Sequence, residues 1–319
     1  MIEPGSALER AEGPGTARFL EEAVAGLSAA RKAMSPKWLY DERGSALYEL
    51  ICAQPEYYPT RTELRILERH TAGIAGEIGP DALVIEYGAG SGRKTARLLG
   101  ALSRPAGYLA VDISGEALAA AAAALARRFP GLPIRPRVGD FTEPVEVPPL
   151  PCARRVSFFP GSTIGNFDPP EAAALLGKMA GDAGPGGALL IGVDLPKERT
   201  ALLRAYDDAR GVTAAFDLNL LARMNRELGA DFRLSAFRHR SAWDPRRSRV
   251  EMHLESQEAQ RVRLDGHSFS FRAGETLHTE SAYKWEPAAF DALAAQAGWS
   301  LVRTWEDRRR WFSVRLYAR

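Results

Sequence analysis

Leu83-Val84-Ile85-Glu86-Tyr87-Gly88-Ala89-Gly90-Ser91-Gly92 is the stretch whose reading decides the fold. A short apolar run ends in a glutamate and then in alternate glycines, the pattern of a buried strand turning into a helix. Glycines there let the backbone approach a ligand and open the next helix without a Cβ clash. That helix runs through Thr95-Ala96-Arg97-Leu98-Leu99. Tyr108-Leu109-Ala110-Val111-Asp112 reads as a second strand, and Ser114 as the cap of an alanine-rich helix that Pro130 stops.

Outward from this point the alternation continues. Arg155 to Phe159 is a strand, Pro169-Pro170 open a helix, and Ala188 to Val193 is a further strand. Strands alternating with helices predict a parallel sheet covered on both faces. Between Pro196 and Trp285 the rhythm changes to two helices, the second from Val212 to Leu228 with Gly229 as its stop. Three or four strands of alternating polarity follow, such as Arg249 to Leu254, which fit an antiparallel sheet with one face covered. A helix from Pro287 to Ala297 and two strands return after Lys284. Upstream, a helix is predicted from Ala17 to Lys32. Trp38, Tyr40, Tyr48, Tyr57 and Tyr58 then crowd a segment too aromatic for a solvated linker. The expected fold is a doubly wound, Rossmann-like α/β domain at 62–195 and 284–319. An inserted α+β substrate-binding lobe at 14–61 and 196–283 interrupts it, and 1–13 form a disordered lead-in.

Composition narrows the partners. A chain of 319 residues with 45% hydrophobic and 26% charged residues excludes wholesale disorder. Its 42 basic and 40 acidic residues leave +2, no electrostatic case for nucleic acid or a membrane surface. Cys52 and Cys152 form no CxxC pair, so a thiolate zinc site or disulfide framework is not expected. The five histidines show no ligand spacing, so no metal is expected. The acidic, Pro/Gly-rich N-terminus lacks a signal pattern, and the apolar run Ala117 to Ala126 is too short to span a bilayer. A cytoplasmic monomer acting on a small molecule is the expectation.

The glycine turn admits two ligand classes, dinucleotides and S-adenosylmethionine. Asp112, twenty residues past Gly92, stands at the next strand end, where it could accept both ribose hydroxyls. A dinucleotide fingerprint is G-x-G-x-x-G with pyrophosphate on the helix N-terminus. Here the spacing is G-x-G-x-G after a glutamate, which suits a nucleoside with no phosphate to hold and an ammonium to pair. Gly139-Asp140-Phe141 follows the third strand, where a carboxylate could take the adenine amino group and a ring could pack on the base. Alone, that triplet reads equally well as a turn with a core phenylalanine, and Lys94 as a solvated helix lysine. Together the pattern assigns S-adenosylmethionine to Glu86, Gly88, Gly90, Gly92, Lys94, Asp112, Asp140 and Phe141.

Four longer motifs carry a closer likeness: Ser35-Pro36-Lys37-Trp38-Leu39-Tyr40-Asp41, Pro55 through Glu63 (PEYYPTRTE), Phe159 through Phe167 (FPGSTIGNF), and Leu277-His278-Thr279-Glu280. From about Ser35 to the C-terminus the chain resembles the histidine-specific Nα-methyltransferases of ergothioneine biosynthesis. The resemblance implies a class I methyltransferase domain with a substrate lobe, and three methylations giving trimethylhistidine (hercynine). It also implies that Asn166 and Tyr206 hold the substrate carboxylate, that Tyr57 and Glu280 meet the imidazole, and that Met252 packs on the ring. Tyr40 would stand near the amine, and Gly161 with Thr163 would line the amino-group corner. Read alone, Asn166 could simply cap the turn before Pro169, Tyr206 could be a helix-face aromatic, and Met252 a core residue. Glu280 would be a solvated strand residue. One departure stands out: the family has a serine two positions beyond the glutamate, and here that position is Ala282. A lost hydroxyl contact is worth on the order of 1 kcal/mol. This motivates an alternative, Nα-methylation of another aromatic amino acid. A nicotinamide-dependent oxidoreductase or a silent cofactor-binding module are the readings from other classes.

Overall fold

The computed structural model describes residues 15–90 and 92–319, so the lead-in expected at 1–13 lies outside the described residues. The chain runs α1 (Thr16–Ser28), α2 (Glu42–Cys52), α3 (Tyr58–Ile78), β1 (Ala82–Tyr87), α4 (Arg93–Ala101), β2 (Gly107–Asp112), α5 (Gly115–Arg128), β3 (Ile134–Val138) and β4 (Arg154–Phe159). It continues through α6 (Pro169–Ala183), β5 (Ala188–Asp194), α7 (Arg199–Ala205) and α8 (Val212–Leu228). Then come β6 (Phe237–Asp244), β7 (Arg249–Ser256), β8 (Gln260–Leu264), β9 (His267–Phe271) and β10 (Thr276–Tyr283). The last elements are α9 (Pro287–Gln296), β11 (Ser300–Glu306) and β12 (Phe312–Ala318).

Two compact units divide these elements. The first comprises Pro59–Pro196 and Tyr283–Arg319; the second, a lobe, comprises residues 15–58 and Lys197–Ala282. The first crossing falls at Tyr58/Pro59, three residues before the sequence reading puts it. There α3 begins, and its Ile66, Leu67, Ile74 and Ile78 are committed to the first unit's core.

In the first unit the strand order is β3-β2-β1-β4-β5-β12-β11. Strands β1 to β5 are parallel, and β12 runs antiparallel to both β5 and β11. β1 therefore sits between β2 and β4, the point from which the chain winds both ways. In such sheets ligands bind beyond the carboxyl ends of the strands at that switch point. Strict alternation along β1 feeds two cores: Ala82 and Val84 face one cluster, Leu83, Ile85 and Tyr87 the other. Glu86 follows Val84 in that alternation and is 1% exposed.

The Ala-rich helix does begin after Ser114, but the Ser114 side chain makes no cap hydrogen bond. Asp112 organises the turn instead, its Oδ1 accepting from the Ser114 N–H at 2.9 Å. In the lobe, α1 stops at Ser28, short of the Lys32 expected. The chain that follows pairs with β10: the Met34 N–H donates to the His278 carbonyl at 2.8 Å and the His278 N–H to that of Lys32 at 2.9 Å. α8 ends as read, with Gly229 in the left-handed region at φ 66°. The lobe has five strands where three or four in one sheet are read. β6, β7 and β10 form one sheet and β8-β9 a separate hairpin. Asp265 and Gly266, both at positive φ, close that hairpin on itself.

Candidate active site

The first unit gathers its chemistry at the carboxyl ends of β1 to β5. Gly88 takes φ 76°, a left-handed turn that favours glycine, and lies beside the Phe141 ring. The Phe141 ring packs edge-on against Phe159, centroids 5.5 Å apart, and against Phe167 at 6.3 Å. Gly90 donates its N–H to the Asp112 Oδ2 at 3.2 Å, and Gly92 is the left-handed cap of α4. Asp112 is thus locked to the glycine turn through one oxygen and to the start of α5 through the other. Burial raises its pKa, against the pull of these backbone N–H groups. Asp140, after β3, accepts from both the N–H and the hydroxyl of Thr142, at 3.0 and 2.6 Å.

Glu86 is a carboxylate inside an apolar cluster, and its Oε2 needs donors. It accepts from the Thr95 hydroxyl of α4 at 2.5 Å and from the Tyr108 hydroxyl of β2. Burial raises its pKa to about 7, with these two bonds and Lys94 opposing. Neither Thr95 nor Tyr108 is singled out by the sequence reading.

After β4 the chain turns sharply through Gly161 at φ 90° and Ser162 at φ 60° before the short helix Thr163–Asn166. The Gly161 N–H is held by both oxygens of Glu63, at 3.1 and 2.9 Å, and the Ser162 Oγ accepts from the Asp194 N–H at 2.9 Å. Lys94 is not a solvated helix lysine: its Nζ lies 2.6 Å from the Glu63 Oε2. The turn before α6 is capped by Asp168 together with Glu171, so Asn166 is not that cap. Asp194 itself pairs with Lys284 at 2.8 Å, both side chains 1% exposed.

In the lobe, the assigned residues meet through rings. Tyr40 packs edge-on against Tyr48 and Phe216, centroids 5.6 and 5.3 Å apart. Tyr57 packs on Tyr206 at 6.1 Å, and its hydroxyl lies 3.4 Å from that of Tyr48. Burial drives the Tyr57 phenol well above its ordinary pKa, with Tyr206 adding to it. Tyr57 therefore stays a neutral phenol at physiological pH. Tyr206 ends α7, and its carbonyl is 2.8 Å from the His239 Nε2. The other ring nitrogen of His239 lies 2.7 Å from Asp217. Both partners offer acceptor oxygens, an arrangement that favours a doubly protonated ring. Burial pushes its pKa down, and Asp217 more than offsets this, leaving it raised.

Met252, 2% exposed, is on β7, while Glu280 and Ala282, 7% and 5% exposed, are on β10 of the same sheet. The Thr279 hydroxyl bridges the two strands to the Met252 carbonyl at 3.1 Å. Ser281, the neighbour of the departed serine, is engaged with the His278 Nε2 at 3.1 Å. The residues read for the cofactor lie in the first unit, along with Gly161, Thr163 and Asn166. Tyr40, Tyr57, Tyr206, Met252, Glu280 and Ala282 belong to the lobe. Glu63, Thr95, Tyr108, Asp217 and His239 are supporting residues without a role in the sequence reading. For Glu63 a signal existed, because Gly192 inside an apolar strand marks a close approach. Among the described residues no group of three or more His, Cys, Asp or Glu could hold a metal ion. No helix among them is long and apolar enough to cross a membrane.

A profile of histidine-specific, S-adenosylmethionine-dependent methyltransferases matches residues 19–319. A histidine N-alpha-methyltransferase of Mycolicibacterium smegmatis is 43% identical over 302 residues, 92% of this chain and 93% of that protein. One from Mycobacterium tuberculosis is 40% identical over 313 residues, 97% of each. An N-methyltransferase of Aspergillus flavus is 27% identical over 315 residues, 92% of this chain and 83% of its own.

Proposed function

The chain belongs to the histidine-specific, S-adenosylmethionine-dependent methyltransferases, and from that premise we propose that it methylates the α-amine of L-histidine to Nα,Nα,Nα-trimethylhistidine, the first step of ergothioneine biosynthesis. The observation carrying this reading is the match across nearly the whole chain, lobe included. The first unit is a class I methyltransferase fold, and its rim chemistry fits the cofactor. Asp112 and Asp140 present carboxylates beyond two strand ends, Glu86 stands buried near the end of β1 between Thr95 and Tyr108, and the nearby cation Lys94 is already paired with Glu63. That set of acceptors suits a cationic nucleoside and offers little to a pyrophosphate.

When bound, S-adenosylmethionine supplies a methyl group already activated by its sulfonium. The protein's task is alignment, which can lower a barrier by about 7–11 kcal/mol where it is complete. Asp112 is assigned to the ribose, Asp140 and Phe141 to the adenine, Glu86 to the ammonium side, and the turn at Gly88, Gly90 and Gly92 with Lys94 to the remainder. Asn166 and Tyr206 are assigned to the substrate carboxylate, since an amide and a phenol bind it without placing a cation beside a sulfonium. Tyr57 and Glu280 take the imidazole nitrogens, Glu280 through a charge-assisted hydrogen bond, with Met252 against the ring. Tyr40 stands near the amine, whose proton leaves to solvent water directly or is taken by the Tyr40 phenolate through water, and Gly161 and Thr163 border the amine. A cytoplasmic monomer completes the reading.

Mass spectrometry of products formed from histidine and S-adenosylmethionine tests it, with mono-, di- and trimethylhistidine expected in succession. Ala282 favours one second reading, in which another aromatic amino acid is accepted. Turnover of tryptophan or tyrosine with none of histidine would replace the first reading by the second. Tight NAD binding in calorimetry would remove both.

A further inference from the structure

Glu63 ties two segments of the first unit that the proposed function gives different ligands. Its side chain is 1% exposed, on the second turn of α3. Both carboxylate oxygens accept from the Gly161 N–H, at 3.1 and 2.9 Å, and the Oε2 is 2.6 Å from the Lys94 Nζ. Lys94 stands in the first turn of α4, directly after the glycine turn. Gly161 stands at the end of β4, at the amine corner.

The surroundings are shaped for this carboxylate. β5 passes behind it with Gly192, where a Cβ would lie 2.1 Å from the Glu63 Oε1 and 3.0 Å from its Cδ. Any other residue at 192 would evict the carboxylate, which accounts for a glycine within an otherwise apolar strand. Gly161 is constrained differently, by its φ of 90°, and a Cβ there would also press on the Lys94 Nζ at 3.3 Å. A glycine at positive φ, a glycine that leaves room for the acid, one buried acid and one cation therefore make a single joint.

We infer that Glu63 is a positioning residue that fixes the Gly161 amide and, through Lys94, couples the cofactor turn to the amine corner. It touches neither ligand in this assignment. Cofactor seated at the glycine turn holds Lys94, Lys94 holds Glu63, and Glu63 holds the Gly161 peptide in its left-handed turn. The order in which a ligand meets this joint does not matter, because coupling between two sites is reciprocal. The inference rests on the proposed placing of cofactor and amine.

The test uses Glu63→Gln, which keeps one acceptor for Gly161 and loses the ion pair, and Gly192→Ala, which displaces the acid without altering charge. Calorimetry would measure S-adenosylhomocysteine alone, and histidine with and without it; steady-state kinetics would follow histidine methylation. Expected for Glu63→Gln are S-adenosylhomocysteine affinity within about threefold, loss of most of the histidine–cofactor coupling, and kcat lowered at least tenfold with a smaller change in KM. Gly192→Ala should repeat this pattern. Lys94→Met in the Glu63→Gln background should add little further loss of coupling. Unchanged coupling and kcat in a folded Glu63→Gln protein would overturn the inference, as would loss of S-adenosylhomocysteine binding, which would place Glu63 in the cofactor site itself. No histidine turnover by the unaltered chain would sink the functional reading and this inference with it. Normal turnover with an indifferent Glu63→Gln sinks the inference alone.

Discussion

The strand-end rim of the first unit and the aromatic pocket of the lobe hold their side chains by different means. On the rim, backbone N–H groups do it. Ser114 and Thr142 donate to Asp112 and Asp140 from two residues on, and Gly90 donates to Asp112 from the glycine turn after the neighbouring strand. In the lobe, rings do it: Tyr40, Tyr48, Tyr57, Tyr206 and Phe216 come from four separate stretches and meet at 5.3–6.3 Å, edge-on except for the tilted Tyr48–Phe216 pair. Backbone N–H groups meet Asp112 and Asp140 where their strands end, whereas the buried Glu86 is held by two hydroxyls. A pocket built from packed rings keeps its phenols neutral, and a charge survives there only when fully paired, as His239 is by Asp217 and the Tyr206 carbonyl.

That contrast predicts its own breakpoints. His239→Leu should have the largest effect, because it strands the buried Asp217 carboxylate and releases the end of α7. Breaking a buried pair costs about 3–5 kcal/mol, so chemical denaturation should show a loss of that size. A loss below about 1 kcal/mol would mean the ring is not an imidazolium.

Glu86 supplies the next largest. A carboxyl raised from 4.5 to about 7 binds its proton more tightly when folded, so its contribution is complete at low pH and is lost as pH rises from about 4.5 through 7. The span is up to about 3 kcal/mol. Unfolding curves of Glu86→Gln against pH should lack this slope. His239 contributes with the same sign, its stabilisation present at low pH and lost as pH climbs through its raised value. A Glu86→Gln protein that keeps the whole slope would place it in the lobe.

Asn166→Ala should weaken histidine binding by about 2 kcal/mol, roughly thirtyfold, through loss of a hydrogen bond to a charged group. Calorimetry should find S-adenosylhomocysteine affinity nearly unchanged, and an equal loss of both ligands would make Asn166 structural. The smallest effect belongs to Ala282→Ser, which restores a hydroxyl beside the imidazole partners. It should tighten histidine binding by about 1 kcal/mol, near fivefold, and shift competition away from other aromatic amino acids.

Legibility followed the same division. β1, the glycine turn, Asp112 and α8 with its Gly229 stop were readable because the signals lie within a few residues of the structures they cause. The length of α1 was not, since β10, some 250 residues away in sequence, claims Ala33 and Met34. The separate β8-β9 hairpin was hidden by strands that all alternate alike. Tyr57, Tyr206, Met252 and Glu280 were assigned only through whole motifs. Taken singly, an aromatic or a methionine with helical or strand spacing looks like core, and in burial these residues are core.

By itself the sequence determined the doubly wound sheet, the inserted lobe and the order of glycines and acids along the strand ends. Strand alternation, glycine freedom and charge are properties of neighbouring residues. Tertiary structure alone decided that Lys94 is bound to Glu63, that Glu86 is held by Thr95 and Tyr108, and that His239 lies between Asp217 and the Tyr206 carbonyl. Each depends on which distant group is brought within about 3 Å in a site from which water is excluded, and in such a place partners, not residue type, set a side chain's charge and role.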